Sequence, residues 1–146
     1  VIAKEVQAKV LELILNGMDK TIVLDYVKDV IKKISKKEIP IEKMVIQKQL
    51  KKDIADYETA GPHVYVAKMM HAQGMYIGAG SIISFVIDEG EGIIRDRAKP
   101  LNECKTYDAD YYINNQVVPV VERIFEVLGI SKDLLIHHEQ SRLGEF

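Results

Sequence analysis

The first 36 residues of this sequence have few ways to fold other than as two packed helices. The apolar residues at helix-face spacing in the first helix are Ile2, Val6, Val10, Leu13 and Ile14. Gly17 is a natural C-terminal stop, and Asp19 can then cap a second helix, predicted from Lys20 to about Lys36. The apolar stripe predicted for this second helix consists of Ile22, Tyr26, Val30 and Ile34. Together the two segments predict a helical hairpin.

Proline and glycine divide the middle of the chain. The helix must end before Pro40, because a residue that precedes proline disfavours the helical conformation. Alternating polar and apolar residues from Met44 to Leu50 predict a short strand. Gly61-Pro62 suits the start of a helix, predicted over Val64–Ala72 and ended by Gly74.

The second half of the chain predicts a β-hairpin and a long helix. The β-branched run Ser81–Ile87 reads as a strand, followed by a turn at Asp88–Gly92 and a partner strand that begins at Ile93-Ile94. A final helix is predicted from about Asp108 to Leu128, with a bend or irregularity at Pro119. The apolar face predicted for it consists of Ile113, Val117, Val120, Val121, Ile124 and Val127. These elements predict an α+β fold that is mostly helical, with a small antiparallel sheet.

Charge is distributed unevenly, although the net charge is only −2. Residues 1–85 carry 13 of the 20 Lys and Arg and 10 of the 22 Asp and Glu, so they are net basic. Lysines are densest between Lys28 and Lys52, and such a run is either a solvated helix face or a surface for a polyanion.

The lone Cys104 excludes an internal disulfide and predicts an intracellular setting. The sequence has no run of about 18 apolar residues, so it predicts no membrane span.

The sequence contains no recognisable catalytic or metal-binding constellation. Gly78–Ser81 lacks the Gly-Lys-Ser/Thr of a phosphate loop, and the acidic turn at Asp88–Glu91 lacks calcium-loop spacing. The four histidines and Cys104 are too scattered for a zinc site. Asp108 and Asp110 have the spacing of a paired-carboxylate metal site, but at a helix start we interpret them as capping residues. The residues alone therefore predict an α+β module with one basic flank.

Four stretches of the sequence match one protein family in order and spacing. Residues 2–12 read IAKEVQAKVLE, residues 60–68 read AGPHVYVAK, residues 95–98 read RDRA, and residues 107–119 read YDADYYINNQVVP. Together they resemble the thumb region of archaeal family B DNA polymerases, and the similarity runs from residue 2 to the end without large gaps. Lys51 departs from the family pattern by placing a charge where a hydroxyl is usual, and Gly78-Ala79-Gly80 lacks a basic residue.

The resemblance implies part of a DNA-directed DNA polymerase, a nucleotidyltransferase of DNA replication. Residues 1–130 would form the thumb domain, with a helical lobe and a small β-containing lobe, present as an excised domain or as the small subunit of a split polymerase. The Mg²⁺-dependent palm carboxylates would lie upstream of Val1, so this chain would be inactive alone and need no cofactor. The implied partners are primer–template double-stranded DNA, the palm, fingers and exonuclease portions, and the sliding clamp. The implied location is the cytoplasm, with the archaeal nucleoid.

By the same resemblance, the thumb folds over the duplex and contacts its backbone along the minor groove without sequence preference. The helix that starts at Gly61-Pro62-His63 suits this role, because free N–H groups and the helix dipole bind phosphate. The candidate DNA-binding residues are Lys51, Lys52, His63, Lys68, Arg95, Arg97, Asn115 and Gln116. For Arg97 the alternative is an ion pair with Asp96 or another acid. For Tyr111 and Tyr112 a core position is the favoured interpretation.

The last residues carry a second candidate function. Residues 131–146 are expected to form an extended tail, and Gln140-Ser141-Arg142-Leu143-Gly144-Glu145-Phe146 resembles the motif with which replication proteins bind the sliding clamp. In that motif Leu143 and Phe146 would enter an apolar pocket, and Gln140 would be a polar anchor. The resemblance therefore implies clamp docking as an alternative main role of the chain.

Overall fold

The computed structural model describes residues 1–129. They form two compact units, and each unit is built from two separate parts of the sequence. The β unit comprises Val1 and Ile39–Ala109, and the helical unit comprises Ile2–Glu38 and, within the described residues, 110–129. The elements in chain order are α1 (Ile2–Leu15), α2 (Lys20–Ser35), β1 (Ile46–Gln49), α3 (Pro62–Ala72), β2 (Ile82–Ile87), β3 (Ala98–Lys99), α4 (Ala109–Tyr111) and α5 (Val118–Val127). This composition confirms the predicted α+β class.

The predicted helical hairpin is present in the helical unit. Helix α1 packs against α2, and Gly17 adopts φ +74° in the turn between them, a conformation that suits glycine. Asp19 caps α2, because its carboxylate accepts a hydrogen bond from the amide of Thr21 at 3.3 Å. Both ends of the hairpin turn thus follow from local signals in the sequence.

The buried face of α2 differs from the predicted stripe at its first turn. Ile22 is 47% exposed, whereas Val23 and Leu24 are buried. The stripe is correct further along, where Val30 and Ile34 are buried. A spacing of four residues does not follow the 3.6-residue turn over a whole helix, so the buried face moves away from the position that strict spacing assigns.

The predicted final helix is interrupted by a wider turn. Residues Tyr112–Val117 are π-helical, and the amide of Val118 donates to the carbonyl of Ile113, five residues earlier. Pro119 lies in the first turn of α5, where its missing N–H needs no acceptor. Because a proline ring clashes with the carbonyl four residues before it, a π turn at this point relieves the contact. The irregularity predicted at Pro119 therefore lies on its N-terminal side.

The core of the helical unit is built from α1, α2, the π-helical segment and α5. Its buried residues are Ile2, Val6, Val10, Val23, Leu24, Val27, Val30, Ile31, Ile34, Tyr112, Ile113, Val117, Val118, Val121, Ile124 and Phe125. Val127, predicted on the buried face, is 79% exposed because it ends the last helical turn. Among residues 1–129, no helix combines the length and apolar character that crossing a membrane requires.

The β unit contains a three-stranded antiparallel sheet in the order β1-β2-β3. In β1 and β2, Ile46 pairs with Phe85 and Gln49 pairs with Ile82. The central strand β2 buries Ile83, Phe85, Val86 and Ile87, while Ile82 is exposed. Helix α3 packs against β2 and β3 and buries Val64, Val66 and Ala67. The sheet thus has α3 as its main apolar cover.

The predicted β-hairpin exists, but its second strand begins later than expected. Ile93-Ile94 was predicted to open that strand, and this is wrong: Ile94–Arg97 is a 3₁₀ turn and β3 is Ala98–Lys99. Gly90 and Gly92 adopt φ of +144° and +95°, which widens the turn. The amide of Asp88 donates to the carbonyl of Arg97 at 2.9 Å and closes the loop ten residues long.

Candidate nucleic-acid interface

A basic cleft of about 490 Å³ lies in the β unit. Its lining residues are Lys48, Gln49, Lys51, Tyr57 and His63. They come from the end of β1, the turn that follows it, and the first turn of α3. The cleft therefore combines two of the predicted DNA-binding residues, Lys51 and His63, with three residues that the sequence analysis did not select.

The end of β1 is held firmly against the start of β2. The amide of Leu50 donates to the carbonyl of Ser81 at 2.8 Å, and the amide of Gly80 donates to the carbonyl of Leu50 at 2.7 Å. The side chain of Gln49 adds a hydrogen bond to the carbonyl of Gly80 at 3.1 Å. Leu50 itself is fully buried. Because the strand is anchored here, the exposed residues Lys51 and Lys52 begin from a fixed position.

Tyr57 organises the turn after β1. Its hydroxyl accepts a hydrogen bond from the amide of Lys51 at 3.0 Å. The ammonium of Lys52 lies 5.0 Å from the centre of the Tyr57 ring, within the range of a cation–π contact. One aromatic side chain thus positions both lysines, which places Lys52 beside the cleft although it does not line it.

His63 lies at the N-terminus of α3 and faces Tyr57. The two rings meet edge to face, with their centres 6.1 Å apart. Gly61 precedes the helix, and a side chain at that position would come within 3.6 Å of His63 Nδ1. His63 Nδ1 is buried and has no hydrogen-bond partner. Buried polar atoms without a partner are uncommon in folded proteins, which marks His63 as a candidate functional residue.

His63 brings the N-terminus of α3 to this cleft. The amide of Tyr65 donates to the carbonyl of Gly61 at 3.0 Å, so the earlier amides of His63 and Val64 lack an intrahelical acceptor. Helix N-termini with free amides attract phosphate oxygens. Burial lowers the pKa of His63, and the charge of Lys48 lowers it further. At neutral pH His63 therefore offers a hydrogen bond rather than a charge.

Lys68 and Arg95, also predicted to contact DNA, lie outside the cleft lining. Lys68 is exposed on α3. Arg95 is exposed and lies 3.5 Å from the carboxylate of Asp96, a surface ion pair of small energetic weight. Neither residue is held in a fixed direction by a buried contact, so each can reach a polyanion only as a mobile charge.

Arg97 is engaged in an ion pair within the β unit. Its guanidinium binds the carboxylate of Asp108 and donates to the carbonyl of Asp88 at 3.2 Å. The side chains of Arg97 and Asp108 are only 14% and 19% exposed. The predicted partner of Arg97 was Asp96 or another acid, and in the structure the partner is Asp108. The ion pair predicted as the alternative for Arg97 is therefore present within the unit.

The Asp108–Asp110 segment was interpreted as helix capping rather than a metal site. The structure gives Asp108 the ion pair with Arg97, and its amide donates to the carbonyl of Ile87 at 2.9 Å. Asp110 is exposed. Within residues 1–129, no group of three or more histidines, cysteines and acids is arranged to hold a metal ion.

Asn115 and Gln116 belong to the helical unit and lie in its π-helical segment. Asn115 is exposed, whereas Gln116 is half-buried and donates to the hydroxyl of Tyr111 at 3.3 Å. Burial raises the pKa of Tyr111, and this hydrogen bond opposes the rise. Tyr112 is fully buried, which confirms its predicted core position. Of the two predicted contacts, only Asn115 has a side chain free for solvent.

The three cleft residues that sequence reasoning missed are Lys48, Gln49 and Tyr57. Gln47, Lys48 and Gln49 form a polar run within a strand, and that run was a usable signal for a solvent-facing strand. Tyr57 gave no such signal, because its partners Lys52 and His63 meet it only after folding. The predicted clamp-binding residues Gln140, Leu143 and Phe146 lie outside the described residues.

Comparisons with known proteins identify one family. The model of DNA polymerase family B matches residues 1–128. The chain is 45% identical to the DNA polymerase of Thermococcus hydrothermalis and 46% identical to that of Thermococcus gorgonarius, in both cases over 98% of this chain. It spans only 9% and 19% of those two sequences. The structure of the family B DNA polymerase from Pyrobaculum calidifontis is similar with a TM-score of 0.75 and 35% identity, covering 88% of this chain and 18% of that one.

Proposed function

This chain belongs to DNA polymerase family B, and we propose that it is the thumb portion of such an enzyme, in which the β unit holds the backbone of a primer–template duplex. The observation that carries the proposal is the cleft at the start of α3. There Lys48, Lys51 and His63 converge at the N-terminus of α3, and the ammonium of Lys52 lies over the ring of Tyr57 beside them.

The chemistry of the cleft suits phosphate oxygens rather than bases. Lysine ammonium groups are compact charges without planar geometry, so they bind phosphate without reading a base edge. The amide of His63, at the N-terminus of α3, adds a donor for one phosphate. Such contacts are independent of sequence, which is what an enzyme that copies any template requires.

The net charge of the whole chain does not oppose this role. Steering of a polyanion depends on the local field, and residues 1–85 carry 13 Lys and Arg against 10 Asp and Glu. On this proposal polymerisation itself depends on palm carboxylates and Mg²⁺ in the rest of the enzyme. We therefore expect no nucleotide incorporation by this chain alone, and metal-dependent incorporation would contradict the proposal.

The proposal is tested by fluorescence anisotropy with a blunt duplex at several salt concentrations. Binding should be weak, indifferent to sequence and strongly salt-dependent, since each phosphate contact contributes a slope of about −0.9 in a plot of log K against log salt. The double substitution Lys51→Ala and Lys52→Ala should make the slope shallower by about 2. Lys105→Ala is the control, because Lys105 is exposed in the same unit but lies outside the cleft.

Two results would oppose the proposal. The first is duplex binding that depends on sequence, since phosphate contacts carry no sequence information. The second is equal loss of affinity in the Lys105→Ala chain and the cleft chains, which would mean that only overall charge matters.

His63→Ala should weaken binding without changing the slope, because the neutral imidazole contributes a hydrogen bond and no charge.

A second candidate function rests on the sequence alone. Gln140, Leu143 and Phe146 have the spacing of a sliding-clamp motif, and clamp docking would keep the polymerase on its template. Removing residues 140–146 should abolish clamp binding and leave duplex binding unchanged. If the truncated chain lost both, the two functions could not be assigned to separate parts of the chain.

A further inference from the structure

A second cleft of about 430 Å³ lies in the β unit, and none of the proposed DNA contacts lines it. Among its lining residues are Asp53, Ile54, His71, Tyr76, Ile77 and Gly78. It combines one carboxylate, the phenol ring of Tyr76 and the imidazole of His71 with aliphatic walls, and it contains no lysine or arginine. Its chemistry is therefore opposite to that of the basic cleft.

Asp53 is oriented by the backbone but lacks a cationic partner. Its Oδ1 accepts a hydrogen bond from the amide of Ala79 at 3.0 Å, which fixes the carboxylate at the cleft. Within residues 1–129, no lysine, arginine or histidine forms an ion pair with it. The carboxylate is thus held in place with its charge available to a ligand.

Tyr76 supplies an uncovered aromatic surface. The residue is 94% exposed, which is high for a side chain with so much apolar area. The Tyr76 hydroxyl lies close to Gly78, which also lines the cleft, so the ring stands at the edge of the cleft. Ile54 and Ile77 are half-buried beside it. An exposed ring next to an unpaired carboxylate provides two attractions for one planar cation.

We propose that this cleft binds an arginine side chain presented by a protein partner. The guanidinium would stack on the ring of Tyr76 and donate charge-assisted hydrogen bonds to Asp53. The methylene groups of the arginine would cover Ile54 and Ile77. A nucleic acid is the wrong occupant, because the carboxylate repels phosphate. The inference goes beyond duplex binding and does not depend on it.

The test uses the 146-residue chain, labelled with ¹⁵N, and two blocked tripeptides. One is acetyl-Gly-Arg-Gly-amide, and the other carries citrulline, which has nearly the same shape as arginine without its charge. The arginine peptide should shift the amide signals of Asp53 and of residues 76–79 with saturation on the order of millimolar. The citrulline peptide should bind at least about fivefold more weakly, since it lacks the charge that Asp53 and Tyr76 attract.

Two substitutions assign the effect to the cleft. Asp53→Asn keeps an oxygen for the amide of Ala79 and removes only the charge, so the arginine shifts should be lost in a folded chain. Tyr76→Ala should weaken them without affecting folding, because the side chain is exposed. Lys51→Ala, in the other cleft, should leave the shifts unchanged.

Three outcomes would overturn the proposal. These are equal affinity for the arginine and citrulline peptides, shifts that persist in Asp53→Asn, and no saturable shifts at tens of millimolar. Duplex anisotropy on the same Asp53→Asn chain separates this idea from the proposed function. There we expect affinity that is unchanged or slightly higher, since a negative charge near the lysines is removed.

Discussion

Replacing Arg97 with methionine tests whether this residue holds the β unit together or binds DNA. Methionine keeps most of the aliphatic volume of arginine and removes the guanidinium. The substitution breaks the ion pair with Asp108 and the hydrogen bond to the carbonyl of Asp88. It also removes Nε, which is buried without a partner in the wild type. The folded state therefore changes at one group of contacts.

The expected loss of stability follows from how deeply the pair is buried. Removing one partner of a fully buried ion pair costs about 3–5 kcal/mol, whereas an exposed pair contributes roughly 0–1 kcal/mol. Asp108 is 19% exposed, so water can solvate part of its carboxylate once the guanidinium is removed. We therefore expect a loss of about 3 kcal/mol. With a urea m-value of about 2 kcal/mol per molar, the midpoint should fall by roughly 1.5 M.

Urea unfolding followed by circular dichroism measures this shift. Arg95→Met is the matched control, because its pair with Asp96 is exposed and should change stability by less than about 0.5 kcal/mol. Adding Asp108→Asn to Arg97→Met should recover about 1 kcal/mol, because it removes the negative charge that Arg97 balances in the wild type. The salt slope of duplex binding should stay unchanged in Arg97→Met. A normal midpoint combined with a shallower slope would refute the structural role of Arg97.

Three further predictions concern single side chains. Burial and Lys48 lower the pKa of His63, so the unfolded chain takes up a proton at higher pH than the folded one. The stability that neutral His63 contributes is therefore present above about pH 6.5 and lost below it. On acidification, the urea midpoint of His63→Gln should fall less than that of the wild type, and His71→Gln is the control. Asp19→Ala should cost about 1 kcal/mol and speed hydrogen exchange in the first turn of α2; unchanged exchange would exclude the cap. Leu50→Ala should cost about 2–5 kcal/mol in thermal unfolding, and a smaller loss would mean that the site collapses.

Local signals predicted most of the fold, and distant pairings were missed. The hairpin at Gly17, the cap at Asp19 and the start of α3 all depend on neighbouring residues, and all are present. The pairing of β1 with β2 joins residues more than 30 positions apart, which no local pattern encodes. The start of β3 was misplaced because the φ values of Gly90 and Gly92 extend the turn, and a glycine does not reveal which φ it adopts.

The candidate site shows the same division. Lys51, Lys52 and His63 were selected individually, and the β1–β2 pairing and α3 bring them to one region. Their arrangement around Tyr57 could not be predicted, because an edge-to-face contact and a cation–π contact require the folded backbone. An acid was expected beside Arg97, but its identity depended on how the β-hairpin places Asp108.

Apart from Val1, the β unit is one continuous segment, Ile39–Ala109, between the two parts of the helical unit, and residues near its two ends are in contact. The hydroxyl of Tyr107 donates to the carbonyl of Ile39 at 3.0 Å, although 68 positions separate them. If the segment of 71 residues from 39 to 109 were still unfolded, bringing α1 and α2 together with α5 would require closing a loop at an entropic cost of about 4 kcal/mol. A β unit that has already folded removes that cost. We expect amides of β2 to gain protection before those of α5 in pulse-labelled hydrogen exchange, and the reverse order would contradict this. A folded β unit would then shorten the effective loop between α2 and α5 and speed the packing of α1 and α2 against α5.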